Sequence, residues 1–212
     1  MKNKISIVSL AIALTFLTFS CRDKAKEAET KEAETVNVAK ETSDKFIVSL
    51  DESTITWSGF KPTGSHTGTI DLSHGELTTN DGNIESGTFT IDMASLKDSE
   101  GNARLEKHLK SADFFEIEKH PNATFKITGI ENVNDKTMLS GNLTLKDTTN
   151  NVTFPVSVFH QGDSIKLESE TFTIDRSKWN VKYGSKSFFD NLGEKYINDD
   201  IELTIVVKGK KS

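Results

Sequence analysis

Apolar side chains recur at every second position in run after run of this chain, a spacing that confines it to strands with one greasy face. Ile55 and Trp57 alternate with Thr54, Thr56 and Ser58, and Phe89, Ile91 and Met93 with Thr88, Thr90 and Asp92. Phe125 and Ile127 follow the same rule, as do Leu139, Leu143 and Leu145, then Val152, Phe154, Val156 and Val158. Ile165 and Leu167, Phe172 and Ile174, and finally Ile201, Leu203, Ile205 and Val207 complete the pattern. Turn-forming clusters punctuate the runs: Pro62–Gly64, Ser73–Gly75, Asn80–Asn83, Asn134–Asp135, Asp147–Asn151 and Gln161–Asp163. About eight strands joined by short turns predict antiparallel neighbours, and a sheet of that size removes its edges by closing into a barrel. The alternation breaks at Gly101–Ser111, where Leu105, His108 and Leu109 fall at i, i+3, i+4 on a short helix, and again over Asp175–Asn198. The expected fold is all-β, an antiparallel barrel with a short helical insertion.

Ahead of this domain the composition changes twice. Lys2 and Lys4 precede an apolar stretch from Ile5 to Phe19 that ends at Ser20 and Cys21. The stretch is shorter than the ~20 residues a membrane-spanning helix needs. A basic start, a short apolar core and a small residue at its end describe a secretory signal over residues 1–20. Cys21, the chain's one cysteine, resembles the acylated cysteine of bacterial lipoproteins, with Leu17 and Thr18 preceding it. A lone cysteine also excludes an internal disulfide and a thiolate metal site. Residues 21–45 are rich in Lys, Glu, Ala and Thr, with Glu27-Ala28-Glu29-Thr30 repeated as Glu32-Ala33-Glu34-Thr35. No apolar stripe accompanies them, so they read as a flexible charged linker whose ends would lie roughly 25–30 Å apart as a coil.

Residues 46–212 form one domain, long enough for a single core. Of 26 basic side chains, loss of Lys2 and Lys4 with the leader leaves 24 against 32 acidic, a net charge of −8. That balance opposes nucleic acid, whose binding rests on neutralising phosphates with Lys and Arg, and opposes adsorption to anionic headgroups.

A barrel of about eight strands either fills with its own side chains or encloses one small ligand, and alternation leaves both open. Thirteen Phe against two Tyr and two Trp lean toward an apolar volume, because Phe adds no buried hydroxyl or indole N–H that needs a partner.

His108-Leu109-Lys110-Ser111-Ala112-Asp113-Phe114-Phe115, followed by His120, Pro121 and Ala123-Thr124-Phe125, resembles the signature of the YceI-like family of secreted polyisoprenoid-binding proteins. The likeness extends through Gly59–Gly68 with Thr69-Ile70, Gly141-Asn142-Leu143-Thr144-Leu145, Val152-Thr153-Phe154-Pro155-Val156, and Phe172-Thr173-Ile174-Asp175-Arg176 before Trp179. Asn180 stands where the family commonly has Gly, and Tyr183–Asp190 is longer than usual. The resemblance implies a lipocalin-like barrel holding an isoprenoid lipid, a polyprenyl chain or isoprenoid quinone, while the likeness of Cys21 to a lipoprotein cysteine implies a membrane association through its acyl groups. It implies a location on the cell envelope, periplasmic or at the surface.

Strand parity then names the inward apolar candidates: Ile55, Trp57, Phe89, Ile91, Phe125, Ile127, Leu143, Leu145, Phe154, Val156, Phe172, Ile174, Leu203 and Ile205. Polar candidates for the lipid head cluster in the irregular segments: Lys61, His66, His108, Arg176 and Tyr183. A cation beside a phenol suits a phosphate or quinone oxygen.

No catalytic residue, metal or cofactor is expected. The chain lacks a nucleophile elbow, a phosphate-cradling Gly loop and H-E-x-x-H, and its histidines at 66, 74, 108, 120 and 160 lack the close spacing usual for zinc. Two other readings stay open: a lipid-anchored scaffold for a protein or glycan partner, presenting Phe188, Phe189 and Tyr196, and a hydrolase built on His108 and Asp113. The oligomeric state is open as well, a homodimer being one option.

Overall fold

The computed structural model describes residues 25–212, so the expected leader over 1–20 and Cys21 lie outside the described residues. The strands are β1 (Lys26–Glu27), β2 (Glu29–Glu32), β3 (Asp44–Val48), β4 (Thr54–Lys61), β5 (Gly64–Asn80), β6 (Asn83–Asp98), β7 (Asn122–Val133), β8 (Lys136–Leu145), β9 (Thr148–Gln161), β10 (Ser164–Ser169), β11 (Phe172–Asp175) and β12 (Asp200–Lys211). The single α-helix among the described residues, α1 (Ala103–Lys110), lies between β6 and β7.

Eight strands close a ring. β4 through β10 pair antiparallel in succession, β12 pairs with β10, and β12 returns to β4. The ring is not a regular barrel. β3 continues β4 along β12 and β5, and β11 continues β10 along β12. β6 and β7 share only Thr88–Asp92 against Asn122–Lys126, and the chain between them supplies α1. Asn102 caps that helix by accepting the Leu105 amide at 3.1 Å.

The predicted turns hold where positive φ is needed. Asp81-Gly82 and Asn134-Asp135 both place two successive residues at positive φ, which matches the twist of two-residue hairpins. Ser73–Gly75 is different: it lies within β5 as a bulge, with the register shifting between Leu72 and His74. Gly75 is required there by close approach, since a Cβ would meet the Val48 side chain at 2.6 Å. The expected turn over Asp147–Asn151 shrinks to Lys146-Asp147, and Asn150 and Asn151 join β9.

The N-terminal segment departs most from expectation. β9 pairs with β10 only over its second half, so its first half and β11 leave a seam. β1 pairs parallel with β11 and β2 antiparallel with β9, filling it. Ala28 donates its amide to the Thr173 carbonyl at 2.8 Å and is 5% exposed. A hydrogen-bonded strand thus replaces part of the expected free coil, because the two open edges supply backbone partners that no side-chain pattern announces. Beyond it, Glu34 exchanges two hydrogen bonds with the Asn142 amide, and Lys40 and Ser43 both donate to the Glu85 carboxylate.

One end of the ring is filled. Phe46, Val48, Leu77, Ile84, Ile127, Val156 and Ile165 are buried there against one another's strands. The other end is hollow.

Candidate functional site

A cavity of about 430 Å³ runs into the ring, within the range of small-molecule sites. Its wall is a chain of aromatic rings contributed by four strands. Phe89 and Phe125 have centroids 6.4 Å apart, Phe125 and Phe154 5.8 Å, and Phe154 stacks on Phe172 at 4.2 Å with planes 5° apart. Phe125 reaches its place because Gly141 on β8 has no side chain: a Cβ there would lie 2.2 Å from the ring. Trp57 is held by donating its indole N–H to the Thr69 carbonyl at 3.3 Å.

Of the apolar candidates named from parity, Ile55, Trp57, Phe89, Ile91, Phe125, Leu143, Leu145, Phe154, Phe172, Ile174, Leu203 and Ile205 border the cavity. Ile127 and Val156 do not. Both point inward as parity requires, but they belong to the filled end, where Ile127 packs beneath Gly87 beside Leu77. Parity tells inward from outward and carries no information on depth. The lining also includes Met93, which the alternation placed in one run with Phe89 and Ile91, and Leu96, Leu105, Ala123, Phe114, Phe115 and Ile197, which parity missed. Met93 and Leu96 come from the corner where β6 slips against β5 between Thr69 and Asp71. Phe114 and Phe115 come from the segment after α1, where a period-two rule does not apply.

The polar candidates Lys61, His66, His108, Arg176 and Tyr183 all border the cavity at its open end. Arg176 is fully buried and already engaged. Its guanidinium donates to the carbonyls of Val181 at 2.7 Å, Ile197 at 3.1 Å and Asn198 at 3.2 Å, and pairs with Asp199 at 3.1 Å. It also lies 5.1 Å from the centre of the Phe114 ring. Burial pushes its pKa down, and the neighbouring Asp199 and Asp175 carboxylates oppose that shift. Arg176 therefore secures the loop 181–199 at the cavity's rim, which corrects its reading as a free headgroup ligand.

Next to it Trp179 is also fully buried, donating its indole N–H to the Leu143 carbonyl at 2.9 Å. Asn180 ends that short turn at φ 57°, a left-handed conformation that Gly takes freely and Asn tolerates.

The His108 ring packs edge-on against Tyr183 at 4.5 Å and faces Phe114 at 6.2 Å. Its Nε2 stands 3.9 Å from Asp113, beyond hydrogen-bond length. Tyr183 is exposed, as are Phe188 and Phe189 on the same loop. His66 Nδ1 faces Asp98 at 3.3 Å, and with Glu100 the two bring three donor atoms within 4.8 Å of one another. Asp98 meanwhile accepts the Glu100 and Asn102 amides, shaping the entry to α1.

The curated protein YceI of Salmonella arizonae is 35% identical to this chain, over 36% of the chain and 47% of the relative. The chain thus spans about half the length of the curated relatives it matches. Among solved structures, Burkholderia cenocepacia BcnA superposes with a TM-score of 0.64 at 24% identity, covering 76% of this chain and 98% of that one. A polyisoprenoid binding domain from Saccharophagus degradans superposes with a TM-score of 0.59 at 13% identity, covering 79% and 98%. At those identities the likeness shows the fold. The family model of the YceI-like domain matches residues 46–209, the whole of the ring with its helix and rim loop, and the chain belongs to the YceI-like family.

Proposed function

We propose that this protein binds an isoprenoid lipid by enclosing its tail in the hollow end of the ring, at the cell envelope and anchored through acylated Cys21, without chemistry of its own. The observation that carries the reading is the Phe-walled cavity, closed at one end and open at the other. The family membership and the Saccharophagus domain support it.

Energetics set how such a lipid travels. Burying one CH₂ is worth ~0.8 kcal/mol, so each five-carbon unit gains roughly 4 kcal/mol relative to water. Eight units taken from water would pass the ceiling of about 18–21 kcal/mol for noncovalent affinity. Water is the wrong reference state. The tail exchanges between two apolar solvents, bilayer and cavity, and a small difference decides where it resides.

Gentle purification of the full chain from a bacterial membrane, with native mass spectrometry and organic extraction, tests the proposal. A copurifying mass of isoprenoid size is expected. Ala123 borders the cavity with only a methyl group, so Ala123→Phe fills space with little disturbance elsewhere and should abolish copurification. A folded Ala123→Phe protein that keeps its lipid would overturn the reading. An unmodified mass from wild type would favour the scaffold, and substrate turnover the hydrolase.

A further inference from the structure

Two buried polar atoms beside the cavity face each other without bonding. His66 Nδ1, on β5, and Asp98 Oδ1, at the end of β6, are shut off from solvent and have no hydrogen-bond partner among the described residues. They stand 3.3 Å apart, close enough for a hydrogen bond, so the ring nitrogen is aimed to one side of the oxygen. Asp98 is 5% exposed, and an unanswered carboxylate oxygen in such a setting is costly. Its other oxygen is committed, accepting the Glu100 and Asn102 amides at 3.1 Å each.

The Glu100 carboxylate completes a set of three donor atoms within 4.8 Å of one another, the one such group of His, Cys, Asp and Glu among the described residues. Glu100 is exposed, and its side chain has no partner among those residues. The strand register assembles the set: β5 and β6 place Gly68 opposite Asp98, and the Ser99 amide donates to the Thr67 carbonyl at 2.8 Å, which brings His66 to both carboxylates. A set with a single histidine escapes any test of histidine spacing.

We propose that His66, Asp98 and Glu100 bind a zinc ion through Nδ1 and two carboxylate oxygens, with water in the fourth position. Tetrahedral zinc holds N and O ligands at about 2.0–2.2 Å, which sets two of them roughly 3.3–3.5 Å apart with the ion to one side of the line between them. His66 Nδ1 and Asp98 Oδ1 have that separation and that misalignment. An imidazole among the ligands suits zinc, whereas magnesium and calcium favour oxygen alone. The ion would act on the helix. Asp98 donates its amide to the Glu106 carboxylate on α1 at 3.0 Å and accepts from Asn102, the cap of that helix. A metal on its second oxygen ties α1 to β5 at the cavity's edge, where Leu105 and Leu109 line the wall.

The test is calorimetric titration of zinc chloride into the EDTA-treated full chain carrying Cys21→Ser, which removes its one thiol. One ion per chain is expected, with a dissociation constant on the order of 1 μM or lower. Free zinc at a hundred times that constant should raise the melting temperature by roughly 5–11 °C, and magnesium should not. His66→Gln and Glu100→Gln should each weaken zinc by more than about tenfold, the least that loss of an outer-shell partner costs. Glu100→Gln, at an exposed side chain, should melt like its parent when zinc is absent. His74→Gln and His160→Gln, at exposed histidines outside the set, should bind zinc as the parent does. No zinc binding by the parent, binding that survives Glu100→Gln, or an equal loss in the His74 or His160 variant would each overturn the site.

Discussion

Arg176 is a charge placed in the last environment that favours one, beside apolar rings, and it persists because its planar fork meets three carbonyls and a carboxylate at once. Removing one member of such a buried set leaves the others unsatisfied, which costs about 3–5 kcal/mol. Arg176→Met should therefore lower the melting temperature by roughly 6–20 °C, at 2–4 °C per kcal/mol for a chain of this size. Arg176→Lys should rescue little, because an ammonium cannot reproduce the fork. Hydrogen exchange would rise across 181–199 in both, and an unchanged exchange pattern would contradict the bonding described. Sequence placed Arg176 at the cavity without disclosing its partners, since backbone carbonyls 5, 21 and 22 residues downstream leave no trace in residue type. Gly141 and Asn180 were readable as motif positions, while their reasons, room for the Phe125 ring and a left-handed turn, needed coordinates.

At the scale of elements, the ring strands were legible because each buries one face, and burial writes itself as period two. The seam strands were not. Residues 26–32 bury a single side chain, and it is Ala28; their attachment is carried by backbone hydrogen bonds to β9 and β11, which any sequence without Pro can make. Lys178 adds an exposed ion pair to Glu27 at 3.0 Å, of the kind worth at most about 1 kcal/mol. The seam should thus be the weakest closure of the ring, able to open without global unfolding. Ala28→Pro removes the amide that reaches Thr173 and should release the segment. Trypsin cleavage after Lys26 and Lys31 should accelerate, and amide exchange should rise at Val152 and Thr173, with little change at Phe89 or Ile91. Uniform exchange changes across the ring would instead mean that the seam strand is part of its global cooperative unit.

For the molecule as a whole, the division into a filled and a hollow end explains both its stability and its expected response to ligand. Phe46, Leu77, Ile127 and Ile165 supply an ordinary packed core at one end, so the fold does not depend on the lipid. The other end forgoes contacts: the cavity of about 430 Å³, were it sealed and dry, would at ~24 cal/mol per Å³ correspond to a loss on the order of 10 kcal/mol. That is as large as the whole stability of a typical domain, about 5–15 kcal/mol, and it makes a solvated or lipid-filled cavity the favourable state. An occupant that binds only the folded chain stabilises it by about 2.7 kcal/mol at a hundred times its dissociation constant, or roughly 5–11 °C in melting temperature. Delipidation should lower the melting temperature of the wild-type chain and reloading should restore it. Ala123→Phe, carrying its own filler, should melt at one temperature in both treatments. Differential scanning fluorimetry on the four samples decides the matter, and equal melting of wild type with and without lipid would show that the hollow end is not where the ligand resides.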